Sequence, residues 1–553
     1  MTADGGAPLG THRSGHWRVP EALNRARPET LFGDRTVKAF AERPATYDAM
    51  VRASVARNPD GEAVVCGDRR LSYRDLDGLV ERTAHGFIRR GLRPGDRVAV
   101  MLDNRLEYLV AILAAVRAGG IAVPLGTRLG PMDVAYIVEN AAPSFAVTAR
   151  EWLPRFPAES SIAHTLLVDA DRPGEERFAD LATDDAGVLP ALAPEDPMMI
   201  IYTSGTTGKP KGACLTHVNF VHTCLHYLYA LAIDQPLRSL LVVPGTHIAG
   251  FGPVMSVTLA SAGTIVMLRE FKARLVLDAI DRERITFAVL VPAMYQLCLM
   301  EPTLSGRDLT SWRYGVYGGA IMPPAVIERF AERLPSLRMI NAYGATETCA
   351  VCTIMPPELT AAHPASVGLP LHCDELRVVD EDGREVEPGR IGELWIRGPN
   401  VSPGYWRDPG ATDRSFTDGF WKSGDVASRE ENGLVFIHDR LKDMINRGGF
   451  KVFCAEVENV LIGHPGVADC SVVGVPDPVL GEKTFAFVQR RAASVDGPAL
   501  RDYLRARIAD YKVPDFWHVC EDPVPRNQNG KQQKADVRRL AAELMAATIK
   551  DPV

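Results

Sequence analysis

From about residue 45 onward, short apolar runs alternate with stretches of helical periodicity, and the alternation persists along most of the chain. Residues 96–102 (DRVAVML) read as a buried strand after a Pro-Gly-Asp turn. Residues 105–118 (RLEYLVAILAAVRA) carry apolar side chains at helical spacing and stop at Gly119-Gly120, after which residues 121–125 (IAVPL) are extended again. The pattern recurs as helix 132–141 with a strand near 144–148, helix 275–284 with strand 285–291, and helix 324–334 with strand 337–342. Strands that alternate with helices form parallel sheets covered on both faces. The expected fold class is therefore α/β, with a large N-terminal domain of parallel-rich sheets flanked by helices.

Near residue 440 the texture changes. Short strands (470–475, 484–488) mix with amphipathic helices (455–462, 498–509), which predicts a small α+β C-terminal domain. Residues 1–44 are polar, rich in Gly, Pro and Arg, and weakly periodic, as in an extended arm or loose cap. The expected boundaries are 1–44, 45–440 and 441–553, and a chain of 553 residues is too long for one ordinary core. Net charge is −7 with both signs interspersed, which argues against a nucleic-acid partner. Of ten cysteines only Cys349 and Cys352 form a Cys-x-x-Cys pair, with His372 and Cys373 about twenty residues on. Buried thiols in a reducing compartment are a better reading than a metal site. The N-terminus has no apolar core of signal-peptide length, and the apolar run 288–300 falls short of the roughly 20 residues of a membrane span. The expected location is the cytoplasm, without a transmembrane segment, which leaves peripheral membrane contact open.

The strongest local signal is residues 198–212, MMIIYTSGTTGKPKG. An apolar strand runs straight into Thr203, Ser204, Gly205, Thr206, Thr207, Gly208 and Lys209. Glycines let the backbone turn tightly and bring N–H groups to phosphate oxygens, while hydroxyls and the lysines 209 and 211 add donors and charge. A flexible surface loop is the competing reading, and a buried strand feeding so many hydroxyls argues against it. The G-x-x-x-x-G-K-[ST] spacing is absent, which disfavours a Walker-type kinase or ATPase.

This segment resembles the phosphate loop of the adenylate-forming superfamily of acyl-CoA synthetases, adenylation domains and beetle luciferases. Further motifs follow in that family's order over roughly residues 50–540. Asn341-Ala342-Tyr343-Gly344-Ala345-Thr346-Glu347 is similar to its Y-G-x-T-E element. The resemblance implies Tyr343 stacked on adenine, Thr346 at a phosphate, and Glu347 with Thr203 on Mg²⁺, a cation that favours a few hard oxygen donors. Gly318-Gly319-Ala320 resembles the turn beside adenine and acyl group. Trp421-Lys422-Ser423-Gly424-Asp425 is similar to the T-G-D element, with Ser423 in place of Thr and Asp425 at the ribose. Asp439-Arg440-Leu441-Lys442-Asp443 matches the hinge element, which implies Arg440 as a second ribose or phosphate contact and Lys442 as the hinge. The run Gly448-Gly449-Phe450-Lys451 resembles the loop facing the pantetheine tunnel, and Cys454 stands where many relatives have Pro. Lys531, after Asn529-Gly530, matches the catalytic lysine, and Lys534 is its only serious rival.

The resemblance implies an ATP-dependent, AMP-forming carboxylic acid:CoA ligase that makes an acyl-adenylate and then a thioester, with ATP, Mg²⁺ and coenzyme A as co-substrates and cofactor. The small C-terminal domain would be mobile, swinging about Lys442 to withdraw Lys531 and present Gly448-Gly449. His247 falls where relatives carry a pocket histidine, although Thr246 replaces the usual aromatic residue before it. The acyl-pocket candidates are His247, Phe251, Gly319 and Cys349, for a medium- or long-chain fatty acid or an aryl acid. The alternative acceptor is a separate acyl carrier protein. A luciferase-type oxygenase and a non-catalytic binding protein are the remaining readings, and the intact loop, Glu347 and Lys531 disfavour the last.

Overall fold

The structure, a computed structural model, describes residues 26–185, 187–203, 209–320, 322–526 and 532–550. The chain divides into two compact units, 1–377 with 395–422 and 431–435, and 378–394 with 423–430 and 436–553.

The first unit holds two large sheets. One has eight strands, with Ile121–Pro124, Arg97–Met101, Phe145–Thr148 and His164–Leu167 adjacent and parallel. At its other end Pro197–Thr203 pairs antiparallel with Lys211–Thr216, and Gly404–Tyr405 closes the edge. The second sheet has nine strands, parallel from Arg338–Tyr343 through Tyr314–Tyr317, Phe287–Leu290, Arg238–Leu241 and Thr264–Met267 to Glu62–Cys66. The helix Leu106–Arg117 is apolar almost all round because all of it but Glu107 is buried, in a core cluster that also contains strand residues of both sheets. Its terminal Arg117 is 2% exposed and ion-pairs with Asp48 at 2.8 Å and Asp77 at 2.7 Å, tying together the helices Tyr47–Arg57, Tyr73–Arg89 and its own. The apolar run 288–300 splits into the end of a buried strand and the helix Pro292–Met300, and no described helix is long and apolar enough to cross a membrane.

The second unit is built on the long hairpin Val467–Asp477/Gly481–Arg490, with Phe516–Cys520 parallel to its second strand. Alternation along these strands serves two faces. Cys470, Val472, Ala486 and Val488 pack with Val457, Leu461, Leu500 and Leu504 of two helices. Val473, Val475, Phe485 and Phe487 pack with Val537 and Ala541 of the helix Lys534–Lys550.

Sequence periodicity gave no regular element before residue 45, yet Arg27–Leu31 and Arg35–Ala39 form an antiparallel hairpin. Its second strand does alternate, with Arg35, Val37 and Ala39 inward, but the first inward position is an arginine, which hides the period from a hydrophobicity reading. Phe40, fully buried, follows the hairpin and stacks between His222 and His372 with centroid distances of 5.6 Å to each. His222 donates through Nδ1 to the Val218 carbonyl at 2.9 Å, so its Nε2 accepts the Phe40 N–H at 3.3 Å. His217 likewise accepts the Tyr47 N–H through Nδ1 at 3.3 Å.

His222 and His217 must stay neutral to accept. Burial first, then the Arg43 charge, holds His222 down to about 3, and burial, then Lys38, holds His372 down to about 4. Burial lowers His217 to about 4 against the opposing pull of Asp196 and Asp48. The unfolded chain therefore binds more protons than the folded one below the ordinary value of 6.5, so this stability is present above that pH and is lost as pH falls toward 4. At pH 5 the loss is about 2 kcal/mol per histidine. The melting temperature is expected to be clearly lower at pH 5 than at pH 7, and equal values by calorimetry would refute the argument.

Candidate active site

In the first unit, the strand Pro197–Thr203 is buried through Met198, Met199, Ile200 and Ile201 and reaches half-exposed Thr203, which pairs with Lys211. Thr203 Oγ1 donates to the Lys211 carbonyl at 3.4 Å. Ser204, Gly205, Thr206, Thr207 and Gly208 lie outside the described residues. Lys209 is exposed, with Nζ 5.5 Å from the Tyr136 ring centroid, and Lys211 Nζ lies 4.9 Å from that of Tyr405.

Glu347 is 8% exposed, in a one-turn helix after Gly344. Tyr405 donates its hydroxyl to Glu347 Oε1 at 2.8 Å, and the Tyr405 backbone pairs with Ala213 in the strand Lys211–Thr216. Burial, then the Glu347 charge, pushes the Tyr405 phenol well above its usual value, which keeps it a donor. The Ser402 N–H donates to the Glu347 carbonyl at 2.7 Å. Asn400 Nδ2 donates to the carbonyls of Thr348 at 3.2 Å and Val351 at 2.7 Å, fixing a turn in which Cys349 and Ala350 have φ of +49° and +93°. Burial pushes the carboxyl of Asp374, the third partner of that amide, well above its ordinary range. Arg35, from the N-terminal hairpin, donates to the carbonyls of Val401 at 3.1 Å and Ser402 at 2.9 Å. Burial lowers this guanidinium to about 10, against the opposing pull of Asp34.

Tyr343 and Asn341 end one parallel strand, and Tyr317, paired with Asn341, ends its neighbour. Their following turns lie side by side at the carboxyl ends of parallel strands, the usual ligand-binding edge of such sheets. A Cβ on Gly318 would come within 2.3 Å of the Ala342 carbonyl, and one on Gly344 within 2.4 Å of the Ala350 carbonyl. Gly319 and Ala320 are exposed, Ala342, Tyr343 and Thr346 half-buried, and Asn341 donates to the Ser366 carbonyl at 3.0 Å.

His247 is half-buried at the start of a helical segment, and the loop before it is pinned by Asn104, which bonds Gly245 N–H at 2.8 Å, and by Tyr108, whose hydroxyl reaches the Gly245 carbonyl at 2.7 Å. Gly252 approaches Ala350, bringing the segment after His247 against the turn that carries Cys349. Phe251 and Cys349 are both fully buried, Phe251 packed edge-on to Phe220 at 5.3 Å, whereas His247 and Gly319 keep exposed surface. All described cysteines are thiols, and burial pushes the Cys349 thiol upward. Among the described residues no group of three or more His, Cys, Asp or Glu stands together as a metal site.

In the second unit, Asp425 is 3% exposed and pairs with Arg440 Nε at 2.6 Å. Ser423 Oγ donates to the Leu394 carbonyl at 2.6 Å and accepts the Asp425 N–H at 3.0 Å, so its hydroxyl holds the Asp425 backbone. Lys442 is exposed, as are Gly448, Gly449 and Lys451, and both glycines have positive φ. Lys531 lies outside the described residues. Its rival Lys534 is committed elsewhere: Nζ is 3.0 Å from Glu458 Oε1, both side chains are nearly buried, and the acidic neighbours raise its pKa above normal despite desolvation. Cys454 donates its N–H to Asp439 Oδ2 at 2.5 Å and its thiol to the Asp443 carbonyl at 3.0 Å. A proline could make neither bond, so the departure from the family pattern fastens the 439–443 segment to the following helix.

The AMP-binding enzyme family model matches residues 51–406, and the AMP-binding enzyme C-terminal domain matches residues 456–531. This chain belongs to the AMP-binding enzyme family. It is an AMP-forming ligase, with the large α/β and small C-terminal domains of adenylate-forming enzymes. This AMP-binding enzyme is 37% identical to a feruloyl-CoA synthase of Amycolatopsis over 87% of its length and 96% of the relative's. It is 34% identical to a fatty acid–[acyl-carrier-protein] ligase of Streptomyces coeruleorubidus over 87% and 93%. The crystal structure of ATP-bound MatB from Rhodopseudomonas palustris superimposes with a TM-score of 0.83 at 30% identity, covering 90% of this chain and 99% of that one.

Sequence reasoning did not single out Tyr405, Asn400 or Arg35. The first two sit in the stretch 398–406 (GPNVSPGYW), whose signal was an aromatic pair after a glycine with no charged residue to draw attention. Replacing Cys454 by Pro is expected to lower the melting temperature through loss of two hydrogen bonds, about 1–3 kcal/mol. Cys454→Ser, which keeps the N–H, is expected to lose less, and a reversed order in thermal denaturation would exclude the N–H as the anchor.

Proposed function

We propose that the enzyme activates an aryl acid or a medium- to long-chain aliphatic acid as its adenylate in the cytoplasm and transfers the acyl group to CoA. In this reading the domain 45–440 carries the phosphate loop Thr203–Lys209, the adenine-side residues Gly319, Ala320, Asn341, Ala342, Tyr343, Gly344 and Thr346, and an acyl pocket at His247, Phe251, Gly319 and Cys349. Asp425 and Arg440 hold the ribose, Lys531 serves adenylation, and Gly448, Gly449 and Lys451 serve thioester formation, with Lys442 as the hinge.

The observation that supports it most is the Glu347 carboxylate, nearly buried yet carried by Tyr405 beside the strand pair that opens the phosphate loop. Carboxylate and Thr203 hydroxyl are hard oxygens, the donor type Mg²⁺ takes from a protein while phosphates and water fill its other positions. Bound there, the ion would neutralise charge on ATP as pyrophosphate leaves. The chain's own work is electrostatic: Lys209, Lys211 and Lys531 offset the negative charge that rejects an approaching carboxylate. The substrate oxygen is itself the nucleophile, so no cysteine is consumed.

Pyrophosphate release with Mg-ATP is expected to require an aryl or aliphatic acid and to turn over repeatedly only with CoA. The Streptomyces coeruleorubidus relative gives weight to a second acceptor, and acid-dependent release indifferent to CoA would favour a separate acyl carrier protein. Release with no acid of either class would overturn the reading. Lys531→Ala is expected to cut adenylate formation about a hundredfold or more, while thioester formation from preformed adenylate persists. Equal loss of both steps would remove Lys531 from its assigned half-reaction.

A further inference from the structure

We propose that Tyr405 is a positioning residue for Glu347, setting the metal dependence of ATP binding by holding that carboxylate toward the phosphate loop. The inference rests on the reading of Glu347 as the Mg²⁺ ligand. Three observations converge on it. The Tyr405 hydroxyl is bonded to Glu347 Oε1 at 2.8 Å in a nearly dry setting, where a hydrogen bond to a charged group is strong and directional. The Tyr405 backbone is locked by sheet pairing to Ala213, two residues from Lys211, whose ammonium lies over the same ring at 4.9 Å. The segment carrying Tyr405 also grips the Glu347 turn through Ser402 and Asn400 and is itself gripped by Arg35. One side chain thus fixes the distance between the carboxylate and a lysine of the phosphate loop.

A carboxylate freed of this bond has rotamers that turn one oxygen away from the loop. Ordering it again has to accompany metal binding, so the cost falls on Mg·ATP and not on ATP alone. Tyr405→Phe keeps the ring under Lys211 and the packing on Phe416, and deletes only the hydroxyl.

The test is ATP binding by isothermal titration calorimetry, with excess Mg²⁺ and with EDTA, for the wild type, Tyr405→Phe, Glu347→Gln and the double variant. Tyr405→Phe is expected to weaken Mg·ATP binding about tenfold, the size of one hydrogen bond to a charged group, and to leave metal-free ATP binding unchanged. The double variant is expected to match Glu347→Gln in its Mg²⁺ dependence, since the hydroxyl, which also meets Trp421 and Ser415, reaches the metal only through that carboxylate. If Tyr405→Phe weakens both forms of ATP alike, or weakens neither while Glu347→Gln loses Mg²⁺ dependence, Tyr405 does not position the ligand. If Glu347→Gln keeps its Mg²⁺ dependence, the metal-ligand reading itself fails, and the proposal with it.

Discussion

The parallel pairing of Tyr314–Tyr317 with Arg338–Tyr343 is the constraint on which the paired glycine turns of the first unit depend. Two strands running the same way deliver their following turns to the same edge, at a separation set by backbone hydrogen bonds. Gly318 and Gly344 complete the arrangement by letting those turns approach carbonyls at distances that no side chain permits. What looks in the sequence like two separate glycine motifs is one surface, and its geometry follows from the sheet before any ligand is considered. The burial of Arg117 among acids from two other helices ties those helices together in the same unit.

A carboxylate for a cation has to be dry enough to act strongly and oriented enough to act in one direction. In the proposed reading Glu347 meets the first condition by burial. Tyr405 meets the second by donating to one oxygen. The turn around Glu347 takes two consecutive non-glycine residues through positive φ, a conformation that costs free energy and persists only under external restraint. Asn400 supplies that restraint to Thr348 and Val351, and the chain carrying Asn400 is in turn held by a residue near the start of the protein.

Much of this was legible in advance. Periodicity located the parallel strands and crossover helices because their apolar spacing is uninterrupted, whereas the hairpin of the second unit read only as short strands because both its faces are apolar. The motif residues drew attention because phosphate, ribose and magnesium chemistry demands particular side chains in particular turns, and their roles belong to the proposed function. Less legible were contacts made through backbone atoms or through single hydroxyls. Nothing in the composition of residues 27–40 announces a hairpin, since arginine occupies an inward strand position and phenylalanine packs on histidines. The ion pair of Lys534 also lay beyond sequence, because its partner Glu458 lies 76 residues away in the chain and 3.0 Å away in space.

The bonds from Arg35 end on carbonyl oxygens of residues 401 and 402. Every amino acid offers a carbonyl, so the identities of those two residues can drift without disturbing the clamp. Statistical coupling between columns of an alignment would pass over this contact, because one partner has nothing to co-vary. Only the arginine column would carry its mark, as unusual constancy in a region whose composition suggests none. Interactions of this kind are therefore under-represented wherever contacts are inferred from correlated substitutions, and the N-terminal hairpin is a place where geometry recovers what such correlations omit.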